Sequence, residues 1–200
     1  MHKQFDLLKA ILASVDLHLT DTMIDQCLHY LDLLNQWNTK QNLTRITHSE
    51  TQLYGHLVDS LLAIPHFNET HILDVGSGAG LPGIPLAIAK PACHFTLLDS
   101  QQKRIAFLKQ ACYTLKLNNV TLIHKRIQEH QPDSKPDLIT CRALTSIENI
   151  IEWTQHLKTP HNRIMAYKTT HDLVPTSIKH QIIPLPNIPN HLESRCLVIL

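Results

Sequence analysis

Apolar and polar positions follow two different rhythms along this chain. From Asp21 to Trp37 the apolar residues Ile24, Cys27, Leu28, Leu31, Leu34 and Trp37 recur at steps of three or four, one stripe of a helix. Thr20 or Asp21 can cap its start. A second stripe, Leu53, Leu57, Leu61 and Ile64, predicts a helix over about 49–64, with Ser49 as cap and Pro65 just past the end. A shorter helix is expected over 5–15. At His71 the rhythm changes, and short β-rich runs alternate with helical ones. Strands are expected at 72–75, 94–98, 120–124, 137–141, 163–167, 178–183 and 195–200, and helices at 82–90, 101–117 and 146–157. That alternation argues a parallel sheet covered on both faces. The last two strands are joined by the proline-rich stretch 184–189, with no room for a crossover helix, so one of them runs antiparallel. The expected fold is α/β and Rossmann-like, a mostly parallel seven-stranded sheet with one antiparallel strand. Residues 1–70 form an N-terminal helical extension and residues 71–200 the sheet domain.

Composition narrows the class. The chain has 200 residues, 43% apolar and 18% charged, enough for a core without a disulfide or metal staple. No apolar run approaches a membrane span, and Lys3, Asp6 and Lys9 interrupt any signal-peptide core. A soluble cytoplasmic protein, not a membrane one, is expected, and a monomer. The five cysteines, Cys27, Cys93, Cys112, Cys141 and Cys196, have no C-x-x-C spacing, and the 15 histidines form no H-x-x-x-H pattern. No metal site is expected. Charge is uneven: residues 1–70 hold 4 Lys+Arg and 8 Asp+Glu, whereas residues 71–168 hold 12 and 7. A polyanion should meet the basic middle.

The candidate chemistry lies in glycines. Of five, four fall within Gly76-Ser-Gly78-Ala-Gly80-Leu-Pro-Gly83, directly after the apolar run Ile72-Leu-Asp-Val75. A glycine turn at the carboxyl end of a strand is where doubly wound sheets bind ligands. Gly78-x-Gly80-x-x-Gly83 fits a dinucleotide fingerprint by spacing alone. Asp74, just before the first glycine, would repel a pyrophosphate and suits the ammonium and sulfonium of S-adenosylmethionine (SAM). Asp99, ending the next strand, suits a carboxylate that accepts from two ribose hydroxyls, in NAD as much as in SAM.

Asp74 to Gly83, then Leu97-Leu-Asp99-Ser100, Lys103-Arg104 and Phe107-Leu108, resemble the RsmG (GidB) family. So do Trp37-Asn38, Asn42-Leu-Thr44, His56-x-x-Asp59-Ser60, Arg126-Ile-Gln-Glu129 and Cys141-Arg-Ala143. Cys141, Gly55 and Thr169 depart from the family's usual serine, basic residue and glycine, and the chain stops at Leu200 without the family's common basic tail. The resemblance implies a class I SAM-dependent methyltransferase that acts on N7 of one guanine in bacterial 16S ribosomal RNA. It implies cofactor contacts at Gly76, Leu81, Ile127, Gln128 and Arg142, beside Asp74, Gly78, Gly80 and Asp99 from the loop reading. The partner would be 16S rRNA or the small ribosomal subunit, not DNA.

Guanine N7 carries a lone pair and no proton, so its methylation needs no general base; alignment of N7, methyl and sulfur does the work. No catalytic acid or base is therefore assigned, and Arg142 or Lys168 is the candidate donor that orients the base through O6. Lys103, Arg104, Lys125, Arg126, Arg163 and Lys168 are the candidate RNA contacts. His56 and Asp59, one helical turn apart, could order the front against the sheet. Two other functions compete: an NAD(P)-dependent Rossmann oxidoreductase, and a non-catalytic SAM-binding ribosome-assembly protein.

Overall fold

The computed structural model describes residues 2–46, 49–171, 174–187 and 194–200. Helix α1 (His2–Ser14) buries Leu8, Ile11 and Leu12, and α2 (Asp21–Gln41) buries the predicted stripe. The Thr20 hydroxyl caps α2 by accepting from the Met23 N–H, and Asn42 closes it in a left-handed conformation. The next helix departs from expectation. It is α-helical over Ser49–Gln52 (α3), π-helical over Leu53–Val58 and α-helical again over Asp59–Leu61 (α4). All six residues of the π-helical stretch are buried. The stripe at 53, 57, 61 and 64 reports a helix but not its winding, because the positions between are buried as well.

From His71 onward β1 (His71–Val75), α5 (Gly83–Ala89), β2 (His94–Asp99), α6 (Gln102–Leu115), β3 (Val120–His124), β4 (Leu138–Arg142), α7 (Ile147–Thr154), β5 (Arg163–Thr169), β6 (Gln181–Pro184) and β7 (Arg195–Ile199) follow in order. The sheet order is β3-β2-β1-β4-β5-β7-β6. Strands β1 to β5 pair in parallel, and β7 runs antiparallel to both β5 and β6. The antiparallel strand expected from the missing crossover is thus β7. The sixth strand begins at Gln181, three residues later than its apolar pattern suggested. Proline at 82 precedes α5 rather than opening it. No described helix is long and apolar enough to cross a membrane. All five cysteines are free thiols.

One continuous core joins the helical front to the sheet, running from Leu8 through Tyr30, Leu57 and Phe107 to Leu197. Helix α2 lies on α6, where Trp37 meets Phe107 edge-on with centroids 5.7 Å apart. The Gln26 side chain donates to the Leu115 carbonyl at the end of α6, 2.9 Å. The Tyr30 hydroxyl, fully buried, donates to the Ala79 carbonyl in the glycine turn at 2.7 Å. Helix α2 therefore props the turn from below. Tyr30→Phe leaves that carbonyl buried and unpaired, a cost of about 1–3 kcal/mol. Urea unfolding should show a lower midpoint with an unchanged slope.

Candidate functional site

The turn after β1 is built from its own backbone. Gly76 and Ser77 N–H both donate to the Leu98 carbonyl of β2, and Gly80 and Leu81 N–H both donate to the Ser77 carbonyl. Gly80 sits at φ +88°, and a Cβ there would stand 2.5 Å from Ile84 Cγ1 and 2.9 Å from Leu108 Cδ2. Glycine at 80 thus serves close packing of turn, α5 and α6. At Gly83 a Cβ would come within 2.6 Å of Asp74 Oδ2.

The Asp74 side chain is wholly buried beneath the turn, where Oδ2 accepts from the Gly83 N–H at 3.1 Å and Oδ1 has no partner. It ties β1 to the start of α5 and lines neither cavity described below, unlike the ligand-facing acid expected from the motif. Burial pushes its carboxyl up to about 7. Leu81 is likewise buried and lines neither cavity described below.

Asp99 is the acid at the open mouth. Its Oδ2 accepts from the Gly78 N–H (2.9 Å) and from Arg104 Nη1 (3.2 Å), and its Oδ1 accepts from the Gln101 N–H (2.8 Å). Three bonds leave one lone pair, on Oδ1, for a further donor. Asp99 lines a cavity of about 260 Å³ with Gly76, Leu98, Arg104, Lys125, Arg126, Ile127, Gln128 and Leu144. It opens at the carboxyl ends of β1 and β2, the usual ligand crevice of such sheets. Sequence reasoning named most of these residues; Leu98 and Leu144 it missed.

A larger cavity, about 720 Å³, adjoins it through Leu144 and is lined by Thr44, Arg45, Gly55, His56, Arg142, Tyr167, Lys168 and Arg195, among others. Arg142, at the end of β4, is its centre. In this π-helical stretch the Asp59 N–H bonds the Tyr54 and His56 carbonyls instead of Gly55 four residues back. The freed Gly55 carbonyl accepts from Arg142 Nη1 at 2.8 Å, and Asp59 Oδ2 accepts from the same nitrogen at 2.9 Å. Arg142 Nη2 lies 3.4 Å from His56 Nδ1. Arg195 approaches the other Asp59 oxygen at 3.5 Å. Burial, then the Arg142 charge, pushes His56 down to about 4. The Lys168 ammonium donates to the Thr145 carbonyl at 2.8 Å. Arg142 thus borders the larger cavity and not the one beside Asp99, and the predicted coupling of His56 and Asp59 to the sheet runs through it.

Two further basic residues fall elsewhere. Arg163 opens β5 at the opposite end of the strands, paired with both Glu69 oxygens (2.5 and 3.1 Å) and the His66 carbonyl. There it clamps the front to the sheet and lines neither of these two cavities, apart from the other candidate RNA contacts. Lys103 reaches the Gln41 carbonyl at 3.5 Å, at the end of α2. Thr44 and Arg45 escaped notice as site residues because only the folded front brings them to β4, and Tyr167 and Arg195 because only the sheet order sets β5 and β7 beside it.

The family model described as rRNA small subunit methyltransferase G (GidB) matches residues 23–181. The chain belongs to that family. A ribosomal RNA small subunit methyltransferase G of Vibrio vulnificus is 42% identical over 165 residues, 82% of this chain and 78% of the relative. The protein of that name from Coxiella burnetii is 41% identical over 194 residues, 96% and 95% of the two chains. Among solved structures, a SAM dependent methyltransferase from Aquifex aeolicus superposes with TM-score 0.56 at 16% identity, covering 74% of this chain and 92% of the other. A precorrin-6y methyltransferase from Geobacter metallireducens gives 0.53 at 15%, covering 78% and 89%. The fold is that of the class I methyltransferases, with the GidB helical front added.

Asp74 yields a pH prediction. Its folded pKa is raised, so the stability it contributes is complete below about 4 and is lost as pH rises through about 7. Asp74→Asn keeps an acceptor for Gly83 and abolishes this titration. The variant should gain stability relative to the parent between pH 4.5 and 8, read from urea midpoints. A constant difference across that range would contradict a protonated, buried Asp74.

Proposed function

We propose that this chain transfers a methyl group from S-adenosylmethionine to N7 of a guanine in small-subunit ribosomal RNA. The observation that carries the reading is the pair of adjoining cavities at the carboxyl ends of β1, β2 and β4 in a chain of the rRNA small subunit methyltransferase G family. The smaller one fits the cofactor's nucleoside. Asp99 keeps one lone pair, on Oδ1, for a ribose hydroxyl, and gains a second if Arg104 swings away, while Ile127, Leu98 and Gln128 offer an apolar slot with one amide for the adenine. Gly76, Gly78 and Gly80 shape the turn beside it. When bound, the cofactor supplies an electrophilic methyl on a sulfonium.

The larger cavity takes the target base. Lys168 and Arg142 line it, and Arg142 keeps its Nε–H and one Nη2–H beyond the bonds to Gly55, Asp59 and His56. Neither needs to move a proton, because N7 has none to lose. His56 fits that chemistry: it is buried, its Nδ1 faces a guanidinium, and it stays neutral at any working pH. The residues supply orientation and exclude water, which is what an unassisted methyl transfer requires. Lys125 and Arg126 rim the smaller cavity and Arg104 stands at Asp99, so the RNA backbone would pass the cofactor mouth on that side.

The direct test is methyl transfer from labelled SAM to small subunits and to naked 16S rRNA, with the product mapped by cleavage at N7-methylguanine. Label in another base or atom would sink the proposal. Asp99→Asn loses the charge and one of its two acceptor oxygens, setting an amide donor against the N–H of Gly78 or of Gln101. SAM affinity by calorimetry should fall by about 1.5–3 kcal/mol, with urea unfolding run alongside to read the loop's share of the loss. The single-turnover rate at saturating SAM and RNA should stay level from about pH 6 to 8.5, on both sides of a free histidine's pKa. A tenfold rise per unit through that range would mean that a base is required.

A further inference from the structure

The proton positions around His56 leave one hydroxyl with a fixed direction. Arginine has donors only, so the Arg142–His56 contact makes His56 Nδ1 the acceptor. His56 is neutral, since burial and the Arg142 charge hold its pKa near 4. Its single ring proton therefore sits on Nε2, which lies 3.0 Å from Thr44 Oγ1. Histidine donates and the threonine oxygen accepts. The Ile46 N–H also donates to Thr44 Oγ1, at 3.2 Å. Both lone pairs of that oxygen are then occupied, and only its own proton is left to give.

The position of Thr44 is as constrained as its polarity. The Asn38 side chain clamps it from α2, accepting from the Thr44 N–H at 2.8 Å and donating to the Thr44 carbonyl at 3.0 Å. Thr44 lines the larger cavity with Arg142 and Leu144, and Leu144 also borders the cofactor cavity. A hydroxyl in that place, unable to accept, suits a base that presents an acceptor. Guanine presents O6 next to N7, whereas adenine presents the N6 amine there.

Building on the reading of this chain as a guanine-N7 methyltransferase, we propose that Thr44 is a specificity-determining residue whose hydroxyl donates to O6 of the target base, with His56 as the positioning residue that turns it outward. An amine in that position meets a donor facing a donor and is rejected. Arg142 works at the far end of the relay by fixing the tautomer of His56. The loop after α2 is thereby part of base recognition, and not merely a connection to α3.

The test uses 16S rRNA carrying either guanine or 2-aminopurine at the methylated position; 2-aminopurine keeps N7 and lacks O6. Single-turnover kcat/KM is measured for the parent, Thr44→Val, Thr44→Ser and His56→Gln. Thr44→Val should lose about tenfold on guanine and change little on 2-aminopurine, and Thr44→Ser should stay near the parent on both. His56→Gln should follow Thr44→Val in direction, with SAM affinity retained. Equal losses on both bases would reveal a structural role and overturn the inference, and so would an unchanged Thr44→Val. A parent enzyme that leaves guanine N7 unmethylated would instead sink the functional reading, and this inference with it.

Discussion

A buried guanidinium joins the two halves of this molecule. Arg142 ends β4, and its partners Gly55, His56 and Asp59 all lie on the helical front, more than eighty positions earlier. The Asp59 side chain is 2% exposed and that of Arg142 13%. Two charges so far from water hold only when hydrogen bonds satisfy them, and removing either partner costs about 3–5 kcal/mol. The π-helical turn follows from this demand. An α-helical turn would engage the Gly55 carbonyl with the Asp59 N–H; the wider winding releases it to the guanidinium. The front is therefore fixed to the rim of the cavity it helps to build, and the larger cavity exists only when both are folded together.

The same demand shows how much was legible in the sequence. The mostly parallel sheet and its one antiparallel strand followed from the alternation of strands with helices and from the missing crossover before β7. Asp99 was legible because a strand end fixes where its side chain stands, whereas Ile127 and Gln128, which line the same cavity, came only through the family resemblance. Asp74 lines neither cavity, and its place in the motif could not tell, since it fixes nearness to the glycine turn but not the side of the backbone. Arg163 lines neither cavity either, and here the sequence held the answer. It starts a strand whose other end carries Lys168, and ligands of parallel sheets gather at carboxyl ends. The π-helical turn and Thr44 left no trace in the pattern, since both depend on contacts between distant segments.

The uneven charge along the chain also takes a different meaning in the folded protein. An acidic front and a basic middle suggest a surface laid out for a polyanion. Much of that asymmetry is consumed internally: Asp59 of the front meets Arg142 and Arg195, and Glu69 of the front meets Arg163. Arg104 is held by Asp99. These pairs hold the front in place and leave fewer cations to face RNA than the count of twelve implies. Lys125 and Arg126 at the smaller cavity, and Arg45 and Lys168 at the larger one, flank the mouth from two sides. A strand crossing between them would present one base to the site, the geometry that unstacking of a single nucleotide requires.

On the proposed reading, methylating an atom that has no proton would relieve the site of acid–base duties and allow histidine a different use. An imidazole near its ordinary pKa would switch between acceptor and donor as pH varied, and a relay through it would switch too. His56 is kept from doing so by burial and by the adjacent guanidinium, which together hold it neutral. Its two nitrogens then carry opposite and permanent roles, one toward Arg142 and one toward Thr44. In a site that proceeds by orientation, a hydrogen-bond direction that does not vary is worth more than a group that can take a proton. The cost falls in acid. The stability His56 contributes is complete above about 6.5 and is lost as pH falls through about 4, where its protonation would set two cations against each other under the rim.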